Sequence, residues 1–298
     1  MSSLRKHTRE SFFKYMPAST AVIVLGNKTL RWSAPTEFND PYDVPRELAF
    51  DISSAELQEE ISAYMIRAVQ EPNEEIGHFL SVLQYIIEAA RRATPDTKAE
   101  ILEALKDEAA KKTGESRGLD ELRDMWRKLI PDFRILCLCE SPSSISMWYH
   151  YAAKYSGVVL ELACSDESDS PWLVAERVEY PEQAPGVFTA RGWAELTMMP
   201  VRAAIDHLFH AYAYTKTPDW SYEREWRIAS FKRPHEQGPF SDYQVCPTDF
   251  RSVYLGPLIE PSAKERIVNL VKERLPHVQL YLMHFGMKRR VEFTSINS

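Results

Sequence analysis

Cysteine is scarce in this sequence, long apolar runs are missing, and neither of the glycine-rich nucleotide signatures occurs. Each absence removes a class of protein. The four cysteines, Cys137, Cys139, Cys164 and Cys246, are too few and too scattered over 298 residues to staple a secreted scaffold, so free thiols are expected. Cys137 and Cys139 would share one face of a strand. No other cysteine or histidine pair has zinc-type spacing, so both read as buried small hydrophobes and no metal is expected. No stretch approaches the roughly 18 apolar residues of a membrane helix; Ala21–Leu25 and Val158–Leu160 are among the longest, and no membrane span is expected. The opening Met1-Ser-Ser-Leu-Arg-Lys-His-Thr-Arg-Glu is basic but leads into no apolar signal core, which predicts a cytoplasmic protein. Without Gly-x-Gly-x-x-Gly or a P-loop, Rossmann and P-loop nucleotide folds are disfavoured. A one-signed charge stripe is also missing. The net charge is −7, with Lys and Arg interleaved among Asp and Glu, so generic nucleic-acid affinity is not expected, and Lys288-Arg289-Arg290 reads as a solvated turn.

What is present is enough apolar material, 44% of residues, for one large core or two modest ones. Residues 12–15 read as a strand, with Ser19 or Thr20 capping a short helix that ends at Gly26-Asn27 and a second strand over Thr29–Ser33. From about 51 to 130 the composition turns to Ala, Glu, Lys, Leu and Arg at helical spacing. Helices fit at about 53–70, 75–93, 96–113 and 118–130, with a stripe of Ile76, Phe79, Leu80, Leu83, Ile86 and Ile87. Beyond Pro131, strands are predicted over 133–139, 158–162, 174–180 and 223–231, a helix opened by Ser141-Pro142-Ser143-Ser144, and a long helix over 194–214. A short strand at 253–256, a helix capped by Ser262 and Glu265, and strands at 278–284 and 290–295 complete the order. The irregular mixture predicts an α+β protein: a mixed, largely antiparallel sheet core from residues 1–50 and 131–298, with 51–130 as an inserted all-helical segment.

Three clusters carry the candidate chemistry. In Lys216-Thr-Pro-Asp-Trp-Ser-Tyr-Glu-Arg-Glu-Trp-Arg227, an extended 222–227 would project Glu223, Glu225 and Arg227 to one face and Tyr222 to the other. Two such carboxylates side by side raise at least one pKa unless a cation intervenes, and they suit a sugar diol or a developing positive charge; cross-strand ion pairing is the plainer use. Met147-Trp148-Tyr149-His150-Tyr151-Ala152 lies on a helix with one face in the core, and His150 is either structural or a polar group reaching a pocket. In Phe38-Asn39-Asp40-Pro41, Asn39 and Asp40 either cap a turn or present acceptors to a ligand.

Phe13-Lys14-Tyr15, Thr29–Pro35 running into Phe38–Pro41, Leu136–Glu140, Met147–Ala152 with Gly157, Lys216, Trp220–Arg227 and Leu255-Gly256 together resemble the bacterial family called domain of unknown function 2971. At a second level the order of Lys14-Tyr15, the unit 20–33 and Glu223-x-Glu225 resembles toxin-type ADP-ribosyltransferases. Here the second strand has Trp32-Ser33-Ala34 where those proteins have Ser-Thr-Ser, and the first lacks their His or Arg beside a Thr.

That likeness implies NAD as substrate and a toxin or phage-defence role. One of Glu223 and Glu225 would stabilise an oxocarbenium-like transition state while the other orients an unknown macromolecular acceptor. It further implies that Lys14, Ser33 and Tyr222 border the dinucleotide, with Tyr15, Trp32, Trp148 or Tyr151 stacking on a ring. A second reading is a nucleotide or small-anion sensor built from Asn39, Asp40, His150 and Arg227, and a third a magnesium-dependent hydrolase or nuclease using Asp40, Glu223 and Glu225. The helical insertion suits a lid, a dimer surface or mere bulk, and the sequence leaves both a homo-oligomer and a regulatory partner open.

Overall fold

The computed structural model describes residues 5–40, 42–110, 117–167, 170–287 and 290–296. In chain order these form β1 (Ser11–Met16), α1 (Ala18–Asn27), β2 (Thr29–Ser33), α2 (Ser54–Gln70), α3 (Ser81–Arg92), α4 (Pro95–Ala110), α5 (Arg117–Leu129) and β3 (Phe133–Cys139). There follow α6 (Ile145–Tyr151), β4 (Val158–Ala163), β5 (Glu176–Arg177), α7 (Ala190–Met198), α8 (Val201–Ala213), β6 (Glu225–Phe231), β7 (Phe240–Gln244), β8 (Phe250–Leu255), α9 (Pro261–Arg274), β9 (Gln279–Phe285) and β10 (Val291–Ser295). The protein is α+β. Its chain divides into two compact units, one of residues 1–42, 132–180 and 214–298, the other of 43–131 and 181–213. The helical unit thus takes in 43–50 and 181–213, which the sequence pattern assigns to the core.

The first unit is built on one sheet in the order β10-β9-β8-β4-β1-β3-β2-β7, with β6 also on β3 and β5 on β6. Among the described strands only β8 and β9 pair in parallel, apart from the isolated parallel bridge between Glu179 and Thr215. β1 is covered on both faces, which is why its sequence does not alternate cleanly with polar residues. Phe12 and Met16 enter the main core, which also holds Ala21, Val24 and Leu25 of α1 and Ile267 and Val271 of α9. Phe13 and Tyr15 enter a second cluster with Met147, Trp148 and Val159. β4 divides the same way: Val158, Leu160 and Leu162 face the main core and Val159 the second cluster.

The helical unit has its own core, centred on Tyr64, Met65, Ala68, Val69, Phe79 and Ile87. α2 begins with a reciprocal capping box in which Ser53 accepts from the Glu56 amide and Glu56 accepts from the Ser53 amide.

Several elements depart from the sequence pattern for local reasons. Met199-Pro200 breaks the expected 194–214 helix into α7 and α8, because proline lacks the amide an unbroken helix requires. α3 starts at Ser81 rather than 75; Ile76 and Phe79 are buried in the turn before it, and Ile86 is 45% exposed. α1 runs through Gly26 and Asn27 and closes on left-handed Lys28, and neither Ser19 nor Thr20 caps it. α9 has no side-chain cap, so Ser262 and Glu265 form no capping box. The expected strand at 174–180 shrinks to β5 and a bridge between Glu179 and Thr215. Residues 111–113 of the expected third insertion helix, Pro41, Lys288 and Arg289 lie outside the described residues.

Candidate active site

The segment before β6 is not extended. Pro218 fixes the start of a 3-10 turn over Pro218–Glu223, and Arg224 closes it in the left-handed region at φ 43° before β6 begins at Glu225. The two acids still converge, by a different backbone route. Lys216 Nζ lies 2.8 Å from Glu223 Oε2 and 2.9 Å from Glu225 Oε2, all three side chains being at most 7% exposed. Beyond Glu225 stands Arg227, 1% exposed, whose Nε and Nη2 reach the two oxygens of Glu225 at 2.8 and 3.0 Å. Acid, lysine, acid and arginine therefore alternate in one buried line, which is the condition under which four charges tolerate removal from water.

β3 lies beneath this line. In register, Cys139 is opposite Glu225 and Cys137 opposite Arg227, so the two small thiols occupy the face on which the ions stand. The Cys137 thiol is near enough to Glu225 to favour its carboxylate form. Burial pushes the thiol of Cys137 up to about 12, helped by the charge of Glu225, and raises Cys139 further, so both are neutral, free thiols. Lys14, from β1, donates to the Cys137 carbonyl at 2.7 Å. Tyr180 accepts from the Glu225 amide at 3.0 Å.

The two acids differ in kind. Burial, followed by the charge of Glu225, raises the pKa of Glu223 above the usual carboxylate range, and Lys216 only partly offsets this. For Glu225 burial acts in the same direction, but Arg227 and Lys216 outweigh it and hold the group well below that range. Glu223 is also the end of the line from which the half-buried rings lead outward: the Tyr151 hydroxyl of α6 donates to Glu223 Oε1. Tyr222 lies beside it, His150 lies 6.0 Å from the Tyr222 ring, and Trp220 covers Lys216 with its ring centre 5.3 Å from Nζ. Burial, then Glu223, raises the pKa of Tyr151, so its hydroxyl stays protonated and donates.

The structure thus joins the three sequence clusters through residues other than those singled out for two of them. The helix reaches the acids through Tyr151, while His150 is exposed at the rim. The loop reaches them through Phe38, whose ring lies 5.2 Å from the Arg227 guanidinium. Asn39 is exposed, and Asp40 accepts from the Tyr42 amide at 2.9 Å, an Asx turn of the plainer kind.

Three expected stacking residues are core residues. Trp148 is fully buried, donating to the Pro142 carbonyl. Tyr15 packs edge-on against Trp148 and donates to the Ser141 carbonyl. Trp32 packs against Tyr243, and Ser33 pairs with Phe240 and Ile135 in the sheet. Of the rings named for that role, Tyr151 alone is part of the cluster.

Sequence reasoning quotes Lys216 within the cluster but gives it no role, and leaves out Tyr180. A buried acid pair demands a cation, and Lys216 opens the motif that holds the acids; Tyr180 carries no local signal. Lys216 also stands between the two carboxylates, where a bridging metal would have to sit, and among the described residues no group of three His, Cys, Asp or Glu is placed to hold one.

Fold and site define an α+β protein with a buried, charge-alternating acid cluster under a tyrosine rim. The model of the family described as Protein of unknown function (DUF2971) matches residues 147–228, so the resemblance to that family is shown over the stretch from α6 to β6 that supplies Tyr151, Lys216, Glu223, Glu225 and Arg227. No curated protein and no solved structure matches the chain.

Proposed function

We propose that the sheet-based unit is an NAD-consuming enzyme of the ADP-ribosyltransferase type, with Glu223 as the acid that faces the reacting ribose. The observation that supports this reading most is the placement of Glu223 at the outer end of the ion line, with Tyr151 on one oxygen and Lys216 on the other. A carboxylate held this way is pre-oriented for a positive charge that develops as nicotinamide leaves, and fixed charges in a site shielded from water act more strongly than in solution. Glu225 serves as a positioning residue: it anchors Lys216 and Arg227 and so fixes the acid beside it. The exposed His150 and half-buried Tyr222 offer the aromatic surfaces at this end. An activity of this type in the cytoplasm suits a toxin or phage-defence effector acting on a macromolecule.

The test is release of nicotinamide from NAD by the purified protein. Release abolished by Glu223→Gln, in a variant that keeps its melting temperature, supports the reading; a wild-type protein that releases none over hours sinks it. A growth defect on expression that disappears with Glu223→Gln is the expected cellular counterpart.

A second reading, binding without turnover, is favoured by one observation: each oxygen of both acids already has a cation or hydroxyl partner. Thermal stabilisation by NAD or ADP-ribose without product supports it.

A further inference from the structure

Six rings form an ordered row that starts at the acid cluster and leaves it. Trp220 meets Tyr222 at 6.1 Å between ring centres, Tyr222 meets His150 at 6.0 Å, and His150 meets Tyr149 at 5.3 Å. Tyr149 then meets Tyr155 at 5.9 Å, and Tyr155 meets Phe285 of β9 at 5.3 Å. The outer members are open to solvent, Tyr149 at 44% and Phe285 at 57%, and His150 is exposed between them and Tyr222. Large exposed rings are costly to leave in water unless they have a use, and here they continue the site instead of being scattered.

Cations accompany the row. Lys154 Nζ lies 5.9 Å from the centre of the Tyr149 ring, and exposed Arg224 follows Tyr222 and Glu223 in the chain; Lys216 under Trp220 is buried and committed to the two acids. At the far end Arg290 is exposed, and its carbonyl accepts from the amide of Gly286, the residue after Phe285. Asp219, beside Trp220, is the acid nearest in sequence to the start of the row.

We infer that this row binds single-stranded nucleic acid, its bases resting on the exposed rings and its phosphates near Lys154 and Arg290. A row of rings with interspersed cations is what a strand of unpaired bases requires, since every base has a face to stack and every linkage a charge to neutralise. Recognition by stacking discriminates against duplexes, whose bases are already stacked, and the cations beside the row act locally against a net charge of −7. The binding claim is independent of NAD consumption; only the corollary, that the bound strand is the acceptor of the transferred group, rests on the proposed activity.

The test is fluorescence anisotropy of the full chain with a short labelled oligothymidylate and oligouridylate, without NAD, against a duplex of equal length. Saturable binding of at least one single strand, clearly tighter than the duplex, is expected. Tyr149→Ala and Phe285→Ala should each weaken it by about fivefold or more, on the scale of one lost stacking partner. Tyr149→Phe should retain it, as should Ile23→Ala, an exposed apolar residue of α1 outside the row. Lys154→Gln should make binding less sensitive to salt. Absence of saturable binding to either strand overturns the inference, as does equal affinity for the duplex, unchanged affinity in both alanine variants, or capture of a protein by this surface when strands fail to bind. Because nicotinamide release is read separately, loss of either result leaves the other standing.

Discussion

Glu223 and Glu225, separated only by Arg224, share one ammonium group, that of Lys216, at 2.8 and 2.9 Å. The 3-10 turn and the left-handed backbone at Arg224 make this possible, since they bring Glu223 and Glu225 to Lys216, two residues before the turn. Removing the shared cation leaves two buried carboxylates facing each other. Lys216→Met should therefore lower stability by about 3–5 kcal/mol, the usual cost of breaking a buried pair, measured by urea unfolding. A loss below about 1 kcal/mol would show that water reaches the pair.

The two acids should leave opposite signatures in pH. The pKa of Glu223 is raised, so its favourable contribution to folding is complete below the ordinary glutamate value and is lost as pH rises through the raised one. The pKa of Glu225 is depressed, so its contribution is present above the ordinary value and is lost as pH falls through the depressed one. Melting curves across pH should show Glu225→Gln flattening the acid limb and Glu223→Gln removing the shallower fall above the ordinary glutamate value. Nicotinamide release, needing the carboxylate form of Glu223, should rise with pH through a point above that value.

Tyr151→Phe deletes the hydroxyl on Glu223 Oε1 while keeping the ring. A hydrogen bond to a charged group contributes about 1.5–3 kcal/mol, so release of nicotinamide should fall by about tenfold or more. An unchanged rate would remove Tyr151 from the site.

The chain after α6 passes through three consecutive left-handed residues, Ala153, Lys154 and Tyr155, none of them glycine. Each costs about 1–2 kcal/mol in isolation. The turn is held by Gly256, where an added Cβ would come within 2.0 Å of the Tyr155 carbonyl oxygen. Gly256→Ala should therefore destabilise by several kcal/mol and impair α6, whereas Ala153→Gly should be neutral or stabilising by up to about 1 kcal/mol. Thermal unfolding of the two variants tests this.

Asp40→Ala should cost about 0.5–1.5 kcal/mol, the worth of one turn hydrogen bond, and leave nicotinamide release unchanged. A loss of activity at constant stability would return Asp40 to the site.

The sequence is most informative where its signals are local. β1, β2, β3 and β4 follow from apolar runs, and the Ser144 cap from its position before Met147. It is less so where the cause is distant or small. Nothing adjacent to Trp32 or Trp148 says that it is enclosed, because the enclosing groups, Tyr243 and the Tyr15 ring, come from far along the chain. The extended reading of 222–227 treated an alternating pattern as a strand; Pro218 and the left-handed Arg224 redirect the backbone, and the acids meet through Lys216 instead of by lying side by side on one strand face. Likewise His150 and Asn39-Asp40 look more reactive in sequence than Tyr151 and Phe38, yet the latter are the side chains that reach the cluster.

The pairing of β2 with β7 joins segments 211 residues apart at Arg31 and Asp242. During synthesis the second strand of the protein must wait, unpaired along that edge, until most of the polypeptide has left the ribosome, and Glu223 with the Glu225 of β6 emerges only shortly before β7. The ion line is therefore a late addition to strands made long before it: a nascent chain lacks it until residue 227 has been added.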